Sequence, residues 1–221
     1  FTRGAVDLSI LHDLWDRDVY GVRLIGKSPK CIVDIGAHIG IFARMVSEIW
    51  SSARLICCEA DPQNVALLRR NLQGLSNVEV VEAAITDHDA PEVTFYAVPD
   101  KVGSNSGGGS INRPERDSIA IRVPALSARR LWDTKSIRKC DLLKLDCEGA
   151  EVPILRGLAD AGVLNRVSRI VGEWHAIDAQ PETRGRLKRE LESLLQDTHE
   201  VAFAPDSAGR EGHFIACLRR A

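Results

Sequence analysis

Long apolar runs are missing from this sequence. None approaches the length of a bilayer span, so no membrane partner is expected. An excess of either charge is missing too: 29 lysines and arginines face 31 acids, a formal net charge of −2. That balance gives no electrostatic footprint for nucleic acid or for an anionic membrane surface. Paired cysteines are also absent. Six cysteines occur, none in a Cys-x-x-Cys spacing, and most lie inside apolar runs that read as strands. They are expected as small buried residues of a protein in a reducing compartment, the cytoplasm. No secretory signal is visible, and the one methionine is Met45, so a start upstream of Phe1 is expected.

What is present suits an ordinary globular chain. With 44% apolar and 27% charged residues, 221 positions are enough for one well-packed domain over 1–221, with 1–30 as a helical lead-in. Apolar runs alternate with helical patterns. CIVDI (31–35) reads as a buried strand ending at a glycine turn, and Phe42, Met45, Val46, Ile49 and Trp50 then recur at helical spacing. RLICCEA (54–60) is a second strand, followed by Asp61-Pro62 as cap and first turn of a helix that Gly74 ends. VEVVEAAI (78–85) is a third. VTFYAV (93–98) and IAIRVPAL (119–126) are strands around a flexible Gly/Ser-rich insert at 99–118, with GSNSGGGS (103–110) at its centre. That insert reads as a surface loop or a mobile flap over a site. CDLLKLD (140–146), a helix near 150–162, SRIVGEWH (168–175), a helix marked by Leu187, Leu191, Leu194 and Leu195, HEVAFA (199–204) and HFIACLR (213–219) complete the chain. The pattern predicts an α/β fold: a mostly parallel sheet, helices on both faces, and a C-terminal antiparallel hairpin.

The turn after the first strand is Asp34-Ile-Gly36-Ala37-His38-Ile-Gly40. A dinucleotide fingerprint needs further glycines where His38 and Ile41 stand, and no Gly-Lys-Ser/Thr follows to make a P-loop. An acid at a strand end with a two-glycine turn suits a ligand with a cationic amino-acid portion and no phosphates. Glu59 ends the second strand, where a carboxylate accepts both hydroxyls of a ribose. Adenosine with a zwitterionic tail fits both places, and S-adenosylmethionine is the common metabolite of that shape. Asp34, Gly36, Ala37, His38, Gly40, Glu59, Ala60, Ala84 and Asp146 are the expected cofactor contacts.

KLDCEGAE (144–151) closes a strand with three carboxylates. Asp146 and Glu148 are candidates for the shell that positions cofactor and acceptor; Glu151 is equally placed as a charge on a helix N-terminus. If such a cofactor passed its methyl group to a hydroxyl, that hydroxyl would have to lose its proton, which favours a base titrating near neutrality: His175, after Glu173 at the end of the next strand. His12, His88, His199 and His213 have no such setting. A divalent metal on Asp146, Glu173 and His175 is a second route; with no other ligand spacing in support, a metal-free site is expected. Cys147 and Glu148 stand where an amino-directed base methyltransferase wants a stacking aromatic, against nucleic-acid methylation.

IVDIGAHIGIFARMVSE, ICCEADPQNVALLRRNL, VVEAAITD and LLKLDCEGAEVPILRG resemble, in that order, the FkbM-type methyltransferases, over about residues 31–175. The resemblance implies the Rossmann-like class I methyltransferase fold, S-adenosylmethionine as donor, and O-methylation of sugar or natural-product hydroxyls. His38 stands where that family often has asparagine. N-methylation of a small amine or guanidine and non-catalytic cofactor binding are the alternatives. Neither the acceptor nor the oligomeric state is legible in the residues.

Overall fold

The computed structural model describes residues 1–2, 4–99, 107–112, 117–176, 181–205 and 211–219. Its elements are α1 (Ala5–Trp15), β1 (Cys31–Ile35), α2 (Ile41–Ile49), β2 (Arg54–Glu59), α3 (Pro62–Asn71), β3 (Val78–Glu82), β4 (Ala84–Thr86), β5 (Glu92–Ala97) and β6 (Ile119–Ser127). They continue with α4 (Ala128–Thr134), β7 (Leu142–Leu145), α5 (Glu151–Asp160), β8 (Arg169–Glu173), α6 (Pro181–Leu195), β9 (His199–Pro205) and β10 (Glu211–Leu218). Seven strands make one sheet in the order β3-β2-β1-β7-β8-β10-β9. The first five in that order run parallel, and β10 enters antiparallel between β8 and β9. This is the mostly parallel sheet with a C-terminal hairpin that the alternating pattern predicts.

Burial on both faces explains the mostly apolar runs, and β7 (Leu-Leu-Lys-Leu) is buried throughout. Successive side chains go to opposite layers. Val33, Ile35, Ile56, Leu143 and Leu145 pack with Leu131 of α4, Leu155 of α5 and Leu191 of α6. Ile32, Leu55, Leu142 and Val171 pack with Leu14 of α1, Phe42 and Met45 of α2 and Leu68 of α3. Each such fully buried leucine stabilises the fold by roughly 1.5–3 kcal/mol relative to exposure. By the same parity Asp34 and Lys144 belong to the second layer, and the β1–β7 register sets them opposite each other. Asp61 caps α3, accepting the Gln63 N–H at 2.8 Å, with Pro62 in the first turn. No helix among the described residues is long and apolar enough to cross a membrane.

The run 78–85, expected as one strand, is two. The Ala83 N–H donates to Glu59 O at 3.0 Å, and the chain leaves the large sheet there. β4 then pairs parallel with β6, which pairs antiparallel with β5, giving a second sheet in the order β4-β6-β5. Apolar periodicity does not register a break between a half-buried segment, β3, and a buried one, β4. Of the 99–118 insert, residues 100–106 and 113–116 lie outside the described residues, and with them half of GSNSGGGS. The described segment 107–112 is bridged to β5 through Tyr96 and Ser110.

Candidate active site

The turn between β1 and α2 is shaped by backbone demands. The Gly36 and Ala37 N–H groups both donate to Cys58 O, at 3.0 and 2.9 Å, tying the turn to the end of β2. Gly36 has φ 79°, and a Cβ there would stand 1.8 Å from the Asp146 carbonyl oxygen. Only glycine permits that approach. His38 also adopts a left-handed conformation, φ 52°, with its Nε2 3.5 Å from Asp7 Oδ1 of α1. Gly40 departs from expectation. It is outside the cavity wall, and its missing Cβ makes room for Leu68 Cδ1, which would be 2.7 Å away. Its φ of 89° and the packing of α3 account for glycine there.

Glu59 is buried at the end of β2. Its Oε2 accepts the His38 N–H at 2.8 Å and its Oε1 the Asp61 N–H at 2.9 Å, which fixes the carboxylate beside the turn. Burial pushes its pKa up to about 7, against the pull of those two N–H groups. Each oxygen retains a lone pair for a further donor.

Asp34 was expected to touch the cofactor, and it is not in the cavity wall. It lies beneath it, with Lys144 Nζ 3.1 Å from its Oδ1. Burial raises the Asp34 pKa, and Lys144 opposes the rise. The same ammonium donates to Gly36 O at 2.8 Å and lies 3.7 Å from Asp146 Oδ2. Sequence reasoning passed over Lys144. The available signal was a lysine within the apolar run CDLLKLD, matched by an acid within CIVDI.

The strand ends of β7 and β8 bring together the carboxylates of KLDCEGAE and Glu173. Asp146 accepts from the Tyr20 hydroxyl at 3.3 Å. Burial raises the Asp146 pKa while Lys144 draws it back. Glu148 has φ 52°, a strained conformation for a non-glycine residue, and its carbonyl accepts the Ser110 hydroxyl at 2.7 Å. Burial raises the Glu148 carboxyl to about 7, with His175 opposing. Glu151 is buried and organises the loop: it accepts from Cys147 N–H at 2.9 Å, Gly149 N–H at 3.0 Å and His175 Nδ1 at 2.9 Å. It therefore acts as more than a helix N-terminal charge.

His175 is ringed by acids. Besides Glu151 at Nδ1, its Nε2 lies 3.4 Å from Glu173 Oε2 and 3.8 Å from Glu148 Oε2. Burial favours the neutral ring, yet Glu151, Glu173 and Glu148 outweigh it and hold the pKa well above the usual histidine value. A neutral proton acceptor, the state expected from the sequence, is not what this geometry favours. His175 also lies outside the cavity wall, whereas Asp146, Glu148 and Glu173 line it. His213, set aside on sequence grounds, is placed by the β8–β10 register with Nε2 2.7 Å from Glu173 Oε1. It meets Tyr20 edge-on, ring centroids 5.8 Å apart. Burial disfavours charge on Glu173, but His175 and His213 together hold its carboxyl far below the ordinary value.

Asp146, Glu151 and His175 offer ligand atoms within 4.8 Å of one another, a spacing that could hold a metal ion. Glu151 there replaces the Glu173 expected from the sequence. Both its oxygens are already engaged by N–H donors, so a metal would have to displace contacts that shape the loop.

Some of these groups line a cavity of about 430 Å³ at the C-terminal ends of the parallel strands, the usual ligand position in such sheets. Gly36, Ala37, His38, Glu59, Ala60 and Ala84 form one part of the wall. Asp146, Glu148 and Glu173 form another, and Val6, Ile10, Leu14 and Tyr20 close it from α1 and the segment after it.

This architecture is that of known Rossmann-like methyltransferases. The O-methyltransferase from Bacillus cereus, solved in complex with SAH, superposes with a TM-score of 0.56 at 14% identity, covering 97% of this chain and 87% of that one. Residues 34–201 match the methyltransferase FkbM domain, and the chain belongs to that family of methyltransferases. The 2-O-methyltransferase NoeI of Sinorhizobium fredii is 30% identical over 153 residues, which span 62% of this chain and 60% of NoeI. Methyltransferase sdnD of Sordaria araneosa is 24% identical in a match that covers 89% of this chain and 85% of sdnD.

Proposed function

We propose that this protein is an S-adenosylmethionine-dependent methyltransferase that O-methylates a hydroxyl of a small molecule, a sugar or natural product. The observation that carries the reading is Glu59, a carboxylate locked by two backbone N–H groups beside a glycine turn, where ribose hydroxyls would donate to it. Gly36, Ala37, His38, Ala60 and Ala84 would surround the adenosine and the start of its tail. Bound there, S-adenosylmethionine would supply a methyl group carried on a sulfonium. The carboxylates of Asp146, Glu148 and Glu173 suit such a positively charged centre.

Glu148 is the proton acceptor in this reading. It faces the cavity and titrates near 7, where a base combines a useful ionised fraction with useful proton affinity. His175, charged and 3.8 Å from Glu148, is a positioning residue that favours the ionised carboxylate. The NoeI name, a 2-O-methyltransferase, supports oxygen as the acceptor atom. The second reading, methylation of an amine or guanidine, draws on the same acids, which suit a cationic acceptor. Incubation with methyl-labelled cofactor and separate panels of hydroxylated sugars, natural products and amines tests both. Label transfer to hydroxyl compounds is expected. Transfer to amines alone favours the second reading, and cofactor binding without transfer to any acceptor favours a non-catalytic role.

A further inference from the structure

Resting on the cavity being an S-adenosylmethionine site, we propose that Lys144 receives the carboxylate of the cofactor's amino-acid tail. Lys144 is the only lysine or arginine among the described residues that line the cavity, and it shares that wall with the acids Asp13, Glu59, Asp146, Glu148 and Glu173. A ligand carboxylate is repelled by each of those acids and attracted by this one ammonium.

An ammonium carries three donors. Nζ donates to Gly36 O at 2.8 Å and is ion-paired with Asp34 Oδ1 at 3.1 Å without a hydrogen bond between them, whereas Asp146 Oδ2, at 3.7 Å, is beyond hydrogen-bond distance. With one N–H given to Gly36 O, the ammonium keeps donors for a ligand. The group is pre-organised: its side chain is 5% exposed, and the β1–β7 register fixes Asp34 beside it. Its place along the turn also fits. Lys144 holds the carbonyl of Gly36 and Glu59 holds the amide of His38, two residues on. A ligand whose ribose meets Glu59 thus lays its tail across the turn towards Lys144. Asp146, beside the ammonium, is placed to receive the tail's own ammonium, so the pair complements a zwitterion.

The test is calorimetry with S-adenosylhomocysteine and its decarboxylated analogue, S-adenosyl-3-thiopropylamine. Asp34→Asn serves as the reference background, because removing Lys144 alone would strand a buried carboxylate. Wild type and Asp34→Asn should prefer S-adenosylhomocysteine by about 10- to 100-fold, the scale of a charge-assisted hydrogen bond. Asp34→Asn/Lys144→Met should bind both ligands alike, with affinity for the amine within about threefold of its background. An undiminished preference in the double variant overturns the proposal. So does an equal loss for both ligands, which makes Lys144 a strut of the glycine turn. Should the double variant not fold, lysine-labelled wild type decides by NMR: a buried Nζ signal that shifts with S-adenosylhomocysteine and not with the amine supports it, and identical spectra overturn it. Failure of wild type to bind either ligand rejects the cofactor reading instead.

Discussion

Replacing Glu148 with glutamine keeps the side chain's size and removes its ability to take a proton. If Glu148 accepts the acceptor's hydroxyl proton, the single-turnover methylation rate should fall roughly 10²–10⁴-fold, the usual contribution of a positioned base. Cofactor affinity should change little, since Glu59 and the glycine turn hold the adenosine. The wild-type pH profile carries a second signature. Burial places the Glu148 pKa at about 7, and only its ionised form accepts a proton, so the rate should rise with pH through that value. His175, 3.8 Å away, lowers the Glu148 pKa. His175→Asn removes that charge, so the profile should move to higher pH while keeping much of the plateau rate. Were His175 the base, His175→Asn would lose the rate at every pH and Glu148→Gln would keep it. Rapid-quench measurements across the pH range separate the two, and a Glu148→Gln enzyme with the wild-type rate refutes the assignment.

Three further outcomes follow from the geometry. Gly36→Ala puts a Cβ 1.8 Å from a backbone oxygen at φ 79° and should destabilise the fold by about 2 kcal/mol or more. Gly40→Ala meets the movable Leu68 side chain, so a loss of about 1–2 kcal/mol with near-native cofactor affinity is expected. Denaturant melts and calorimetry check the pair, and a larger affinity loss in Gly40→Ala contradicts its place outside the cavity. Chelation with EDTA should leave turnover unchanged, since Glu151 is committed to the loop amides and His175. Activity lost in EDTA and restored by Mg²⁺ reassigns Asp146, Glu151 and His175 as ligands.

The parts legible in the sequence are those encoded locally. β1, β2, β7 and β8 are mostly apolar runs because parallel strands are covered on both faces. The glycine turn and Glu59 stand at fixed positions relative to two such strands. What escaped notice depends on register. The Lys144–Asp34 pair exists because β1 and β7 are neighbours in one particular alignment. His213 reaches Glu173 only because β10 folds back antiparallel against β8. The charge on His175 reflects acids from two separate strand ends, so its residue type alone suggested a neutral base. Gly40 resembled Gly36 in sequence, and only the packing of α3 separates their roles.

Glu59 tests the account most directly. Calorimetry should show S-adenosylhomocysteine binding to wild type on the micromolar scale. Glu59→Ala, shown to be folded by thermal melting, should lose about 2–4 kcal/mol, roughly 30- to 1,000-fold in Kd, as two ribose hydrogen bonds to a charged acceptor disappear. Because burial raises the Glu59 pKa to about 7 and the ionised form is the better acceptor, wild-type affinity should also weaken as pH falls below that value. Unchanged affinity in Glu59→Ala, or binding of NAD in place of S-adenosylhomocysteine, would contradict the account.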